Sequence, residues 1–278
     1  MRLARLSTGD GYQVVAGRDG RWVPLSRIAG YDGYTRIADL MVEQRRNELA
    51  AQVAALPDTE LTEIRLEEAA TVVADVDVWG AGLNYKGHSE DLNAAQPTSG
   101  PGSYLRPSSC LIGNGQAIEL PSQSKRVTAE AELGLIISTE CKNVRCEDWR
   151  SVVAGFTAVL DMTAEDVVRE NPRYIPWAKG FDTFCSVGPQ MVTLDEFDER
   201  DITSIRVSTI RNGETVASAL VSDMRYDLGY LVEYFTAGRT IAPGTVICTG
   251  TPGAAAINPG DSIKSVVEGV GVLVHTVR

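Results

Sequence analysis

The sequence predicts an α+β chain that is mainly β, with a small N-terminal α+β unit ahead of a larger, strand-rich part. Three observations carry this. The opening RLARLSTGDGYQVVAGRDGRWVPLS alternates short apolar runs with GDG and RDG turns, the pattern of an antiparallel meander. Over residues 35–55 the period becomes helical: Ile37, Leu40 and Met41, then Val53 and Leu56, share one side, with Glu43, Arg45, Arg46 and Glu48 on the other. From residue 74 onward, β-type runs dominate.

The elements follow in order. Pro57 ends the first helix, and the N-terminal unit (1–73) closes near residue 73. The second unit (74–278) holds VDVWGAGL, SSCLIG, AEAELGLIIS, SVVAGFTAVLDM, SIRVSTIRNGETV, GTVICTG and GVGVLVHTV, each bounded by Gly, Pro, Asn or Asp. Asn212-Gly213 between two such runs signals a hairpin. Helices are expected over 147–154 and over 224–237, where Leu228, Leu231, Val232 and Phe235 share a face. There is no repeat and no regular βαβ alternation. QPTSGPG (96–102) is the one linker-like run, and it predicts mobility in the segment before it.

Composition narrows the function classes. With 278 residues, 44% hydrophobic and 23% charged, the chain is globular and long enough for a sizeable core. A net charge of −11 argues against nucleic acid and against an anionic membrane surface. A small anionic substrate stays compatible, because one local cation in a closed site outweighs a distant surface field. The start lacks the apolar core of a signal peptide and no apolar run approaches spanning length, so the expected compartment is cytoplasmic. Five cysteines scattered among hydrophobic residues read as free thiols, and their spacing does not suit zinc.

The strongest chemical signal is Glu130-Ala-Glu132 in TAEAELGLIIS. In a strand, positions two apart point the same way, so both carboxylates leave one face while Ala129, Ala131, Leu133 and Leu135 fill the other. The ordinary reading of that pattern is an exposed polar face, and the pair is expected at a sheet edge. Asp161 changes the balance, because it ends the apolar run FTAVL and is placed to reach a cleft. Three carboxylates without a Cys or His partner make an oxygen-only site, suited to Mg²⁺ or Mn²⁺, with Ca²⁺ also compatible. A purely structural calcium site is the non-catalytic alternative, although the acid spacing of an EF-hand loop is absent.

His88, in GLNYKGHSED, is one of only two histidines. A lone histidine is commonly structural, but here Ser89, Glu90 and Asp91 follow directly. If the segment is helical, His88 and Asp91 share a face, and a carboxylate that takes one imidazole proton makes the other nitrogen a base. Either Glu90 or Asp91 fits that part. His275 lies in a terminal strand-like run and is assigned no role. Lys179, in PWAKGFDTF, is hemmed in by apolar residues and is suited to a substrate carboxylate or oxyanion if it borders a cleft. CTGTPGA presents a turn with the Thr251 hydroxyl, and the absence of a following Gly-Lys-Ser/Thr excludes a P-loop.

These pieces, in this order, resemble the fumarylacetoacetate hydrolase family over almost the whole chain. GLNYKGHSED looks like the family's Gly-Leu-Asn-Tyr…His-x-x-Glu segment, YLRPSSCLIGNGQAI its Lys-Pro-Ser-Ser block, and TAEAELGLIIS its Glu-x-Glu-Leu metal strand. VAGFTAVLDMTAED, WAKGFDTFCSVGP and GTVICTGTP are similar to the blocks that follow. The resemblance implies a mixed β-roll catalytic domain of this family's type, usually in a homodimer. It implies Mg²⁺ or Mn²⁺ on Glu130, Glu132 and Asp161, with a small keto or enol acid chelating the metal. By the same match His88 is the base, Asp91 its partner, Lys179 a further catalytic residue, and Arg106 and Thr251 substrate contacts, with the His88 segment acting as a lid. The implied reaction is hydrolysis of a C–C bond in an acylpyruvate or β-diketo acid, through a metal-stabilised enolate and His-activated water. Isomerisation, decarboxylation or a dehydratase-type lyase reaction on a related acid is the alternative. A non-catalytic binding protein is least favoured, since His88, the three carboxylates and Lys179 are all retained. The departures are Leu160 for Asn, Glu165 for Arg, Asp91 for Glu, Arg106 for Lys, and AAAINPGD after GTPG. They bear on substrate and reaction more than on fold or metal.

Overall fold

The computed structural model describes residues 1–278 apart from 92–95 and 97, and leaves out the side chains of Glu90 and Asp91. Its frame is a 13-stranded mixed sheet with a four-stranded antiparallel sheet packed against it. Both sheets are open, so the architecture is the mainly β α+β class the sequence predicts.

At the middle of the large sheet, Val127–Ile137 runs antiparallel to Val153–Ala164, and every residue of both strands is buried. The expectation that Glu130 and Glu132 sit on a sheet edge, or on a wet face, is therefore corrected: their strand is central. The next strand, Cys185–Thr193, pairs with Val153–Ala164 on one side and with Arg2–Thr8 on the other. Through Arg2–Thr8, the N-terminal strands Gly11–Arg18 and Arg21–Pro24 extend the same sheet. The helix Glu43–Ala55 closes this end with Leu49 and Val53 buried, and a 3₁₀ turn, Ile37–Leu40, precedes it.

Local signals hold where they are strongest. Asn212 and Gly213 take φ of 53° and 85°, the doubly left-handed pair that a type I′ hairpin requires. The second expected helix forms over Leu228–Thr236, burying Leu228, Leu231, Val232 and Phe235. The expected helix over 147–154 does not form. A 3₁₀ segment covers Cys146–Ser151, and Val153 is drawn into the ladder opposite Ile137. SSCLIG is likewise a 3₁₀ turn, Ser108–Cys110, before a two-residue strand. All five cysteines are free, as expected. Among the described residues no helix is long and apolar enough to cross a membrane.

One strand break positions the site. Val246–Cys248 pairs with the central strand as far as Gly134, leaves it, and the chain returns as Ala254–Ile257 opposite Glu130. The intervening loop 249–253 passes beside Glu132. Within it Gly250 has φ of +96°, and a Cβ there would sit 2.8 Å from the Asn84 Cβ and 3.0 Å from the Ala81 carbonyl. Both the conformation and the space call for glycine. Gly250→Ala is expected to cost ~1–3 kcal/mol, the usual penalty of a forced left-handed residue. Urea unfolding reads it out, and an unchanged midpoint would contradict this account of the loop.

Candidate metal centre and cleft

Glu130 and Asp161 oppose each other in direct register across the central strand pair, and Glu132 lies two residues along on the same side, opposite Val159. One oxygen from each lies within 4.8 Å of the others. Their exposures are 7%, 2% and 0%, so three carboxylates share one buried spot. Like charges so placed repel strongly unless cations or hydrogen bonds answer them.

The answers come from separate parts of the chain. The Gly250 N–H donates to Glu132 Oε2 at 2.7 Å. The hydroxyls of Thr128 and Thr163 each donate to Glu130 Oε1 at 3.3 Å. Lys179 Nζ donates to Asp161 Oδ1 at 2.7 Å and to Thr163 Oγ1 at 2.6 Å, and lies 3.4 Å from Glu130 Oε2. Behind Asp161, the fully buried Arg106 guanidinium donates to Oδ1, to the Met162 and Phe184 carbonyls at 3.0 Å each, and to the Lys179 carbonyl. Tyr104 Oη donates to Asp161 Oδ2.

These neighbours divide the two glutamates. Burial pushes the Glu132 carboxyl up to about 7, with Glu130 adding to the rise and Lys179 working against it. Burial acts the same way on Glu130, but Lys179, His88 and Arg106 together bring it below its ordinary value. Burial also lowers Lys179, and Glu130 restores part of the loss. The residues fit a divalent ion: the donor set is all oxygen, it converges, and one of its carboxyls gains from trading a proton for a metal.

Asp161 lies behind Glu130 and Glu132, which border a cleft of about 340 Å³. His88 enters it from the short helix Lys86–Asp91, so the conditional helix of the sequence reading forms. His88 is buried, and its Nδ1 has no partner among the described residues. The side chains of Asp91 and Glu90, the expected partners, lie outside the described residues, as does part of the segment expected to be mobile and to act as a lid. Two features aim that helix. Leu83, just before it, holds φ of 59°, a conformation seldom taken by a branched residue outside functional turns. Buried Asn84 then ties the turn to the 249–253 loop, donating to the Thr249 carbonyl at 2.8 Å and accepting from the Tyr226 N–H at 2.9 Å.

Of the other expected contacts, Lys179 and Thr251 both line the cleft, and the Thr251 hydroxyl donates to the Gly253 carbonyl at 2.9 Å. Arg106 does not line it. The expectation of a substrate contact there is corrected: Arg106 is buried, and its two Nη groups donate to Asp161 and to backbone carbonyls behind the triad. His275 is structural, bonded to the Gln116 carbonyl at 2.7 Å and to Ser186 Oγ at 2.9 Å. Tyr104 and Asn84 were missed as individual residues. Tyr104 lies in an aperiodic run that gives no signal, whereas Asn84 follows a residue forced to positive φ. The charge reversal at Glu165 is also resolved, because Glu165 is buried between two arginines. Arg126 Nε lies 2.5 Å from Oε2, and Arg169 Nε lies 2.6 Å from Oε1.

The family model described as Fumarylacetoacetate (FAA) hydrolase C-terminal matches residues 77–278, and the chain belongs to this family. It is 38% identical to an uncharacterized protein of Pyrococcus abyssi, over 68% of this chain and 84% of that protein. It is 32% identical to a human mitochondrial oxaloacetate tautomerase, over 84% of this chain and 74% of that protein. Among solved structures it is similar to a 5-carboxymethyl-2-hydroxymuconate delta-isomerase from Mycobacterium smegmatis, with a TM-score of 0.76, 30% identity, and 100% and 98% of the two chains covered. It is also similar to a maleylpyruvate hydrolase from Sphingobium sp. SYK-6 in complex with manganese(II) and pyruvate, with a TM-score of 0.78, 26% identity, and the same coverage.

Two outcomes follow from this geometry. Arg106→Gln is expected to destabilise the fold by ~3–5 kcal/mol, because it leaves Asp161 buried with one cation fewer. Denaturant unfolding measures it, and a loss within error of zero would show that Lys179 alone suffices. Since Glu132 carries its proton below about 7 and must shed it to ligate, Mn²⁺ affinity should fall about tenfold per pH unit below that point and level off above it. Calorimetry in buffers of different ionisation enthalpy would detect the released proton. A flat affinity from pH 6 to 8 would contradict the assignment.

Proposed function

We propose that this protein is a divalent-metal-dependent hydrolase that cleaves a C–C bond in a small keto or enol acid of the acylpyruvate or β-diketo type. What carries the reading is the convergence of three buried carboxylates, two of them lining one cleft, with a buried ammonium in the same cleft and an imidazole whose Nδ1 has no partner among the described residues. Glu130, Glu132 and Asp161 would hold Mg²⁺ or Mn²⁺, which in place supplies Lewis acidity to the 2-oxo acid head of the substrate. The manganese and pyruvate named for the Sphingobium enzyme support that choice of ion and head group.

The chain's own groups do the rest. His88 takes a proton from water as the oxygen adds to the distal carbonyl. The C–C electron pair then moves toward the 2-oxo acid fragment, which departs as an enolate and takes up the proton that His88 removed from water. Asp91, or Glu90 in its place, is the proposed partner that would orient the imidazole. Lys179 and the Thr251 hydroxyl hold the substrate's oxygens, and Lys179 also offsets negative charge as it forms. Leu83 and the neighbouring apolar wall exclude bulk water.

A second reading shares the site. Tautomerisation or isomerisation needs His88 only to move a proton between carbon and oxygen, without water. The tautomerase and isomerase names among the relatives favour it. Incubation with acylpyruvates, oxaloacetate and hydroxymuconate-type acids plus Mn²⁺, with products identified by mass, separates the two: hydrolysis adds the mass of water and isomerisation adds none.

Glu132→Gln, which keeps the shape, is expected to abolish Mn²⁺ binding and turnover while the protein stays folded. His88→Ala should keep Mn²⁺ affinity and lose about 10²–10⁴-fold in kcat. Undiminished metal affinity in the first variant would remove Glu132 from the ligand set. Undiminished turnover in the second would remove His88 as the base.

A further inference from the structure

We infer that Arg5 anchors a second binding site, outside the metal cleft, for a small molecule that carries an oxyanion, either a carboxylate or a phosphate. The site goes beyond the keto-acid reading and does not depend on it.

Arg5 lies on the N-terminal strand Arg2–Thr8, directly opposite Val14 on one side and Ala70 on the other, and is only 6% exposed. A guanidinium keeps its charge at that depth, so the water it gives up has to be replaced by other partners. Among the described residues the other two buried Arg and Lys side chains, Arg106 and Lys179, both pair with Asp161. Arg5 makes no hydrogen bond and no ion pair with any described residue, and its Nε is buried without a partner. Its neighbour is the Tyr12 ring, whose centroid lies 4.0 Å from the guanidinium carbon. An aromatic face answers part of a positive charge, and the edge donors stay unspent.

Arg5 lines a cavity of about 470 Å³ that shares no lining residue with the metal cleft. Thr71 lines the same cavity, and its hydroxyl is likewise buried without a partner. Two orphaned donors on separate segments thus border one space, and an oxyanion is the group that accepts from both. Ser7, two residues along the strand from Arg5 and on the same face, adds another hydroxyl. The loop 113–116 supplies a stiff wall. The Asn114 N–H donates to the Ala69 carbonyl at 2.8 Å and the Gly115 N–H to the Val274 carbonyl at 3.0 Å. A Cβ at Gly113 would stand 2.6 Å from the Ala69 carbonyl, so glycine lets the loop lie this close. The Tyr12 ring, Ala70 and Leu111 give the space an apolar side for the body of a ligand. Glu68 also lines the cavity, but it is exposed and forms no ion pair with Arg5. Its charge is screened by water and offsets little of a buried cation.

The test is a calorimetric titration of the full-length protein in Mg²⁺ buffer with benzoate and with inorganic phosphate, using benzamide as the uncharged control. At least one anion is expected to bind saturably, and benzamide about tenfold more weakly than benzoate if the carboxylate is the one held. A preference for benzoate marks a carboxylate ligand and a preference for phosphate a phosphorylated one. Arg5→Met should weaken the bound anion about tenfold or more. Because it removes a buried unpaired charge, it should also melt no lower than the wild type without anion, and lose the rise in melting temperature that the anion gives the wild type. Thr71→Val, which keeps shape and charge, should weaken the anion about threefold. Equal anion binding by wild type and Arg5→Met would place the anion elsewhere and overturn the inference, as would the lack of saturable binding by either anion. Should Arg5→Met not fold, unchanged affinity in Thr71→Val overturns it. If neither anion binds and Arg5→Met alters the oligomeric state in light scattering, Arg5 answers a second copy of the chain and the small-ligand assignment falls. Each of these outcomes leaves the reading of the metal cleft untouched.

Discussion

Three buried acidic side chains held together on the central strand pair are the constraint around which the rest of the molecule is arranged. Glu130, Glu132 and Asp161 lie buried on adjacent central strands, where little solvent reaches them. Repulsion of this kind is tolerated only when partners are built in. Here they are Arg106 and Lys179, the Gly250 N–H, and the hydroxyls of Tyr104, Thr128 and Thr163. Arg106 and Tyr104, Lys179, and Gly250 come from three further stretches of chain, so the triad is balanced only when the sheet has formed. The cluster suits a dication, which would complete the balance.

The same constraint explains the irregular backbone around the site. The partner strand on one side of the central strand is interrupted at 249–253, because an unbroken ladder would leave no N–H directed at Glu132. Asn84 braces that loop and carries the turn that delivers His88. Left-handed Leu83 sits where the strand Val78–Gly82 must bend toward the cleft. Local strain at this point is balanced by tertiary hydrogen bonds, as is usual where a backbone presents a reactive group.

Much of the fold was legible because its signals are short-ranged. Asn-Gly predicts its own turn, and the Leu228–Phe235 pattern predicts its own helix. The 147–154 region was misread because its apolar spacing suits a helix, yet Val153 finds a ladder partner in Ile137 that no local pattern reveals. The site was legible in part. Glu130 and Glu132 announce a shared face by spacing alone, and His88 and Lys179 stand out by rarity or setting. Arg106 was read as a substrate contact, because nothing near it in sequence shows that Asp161 waits across the sheet.

By itself, then, the amino-acid order determined the class of fold and the all-oxygen character of the acidic cluster. These depend on residue type and on spacings of a few positions. Tertiary structure alone decided that the acids are central and buried, that Arg106 stands behind them instead of in the cleft, and that Glu165 is enclosed by Arg126 and Arg169. Those facts depend on which distant strands become neighbours, and pairing energy is set by the whole sheet rather than by any one segment.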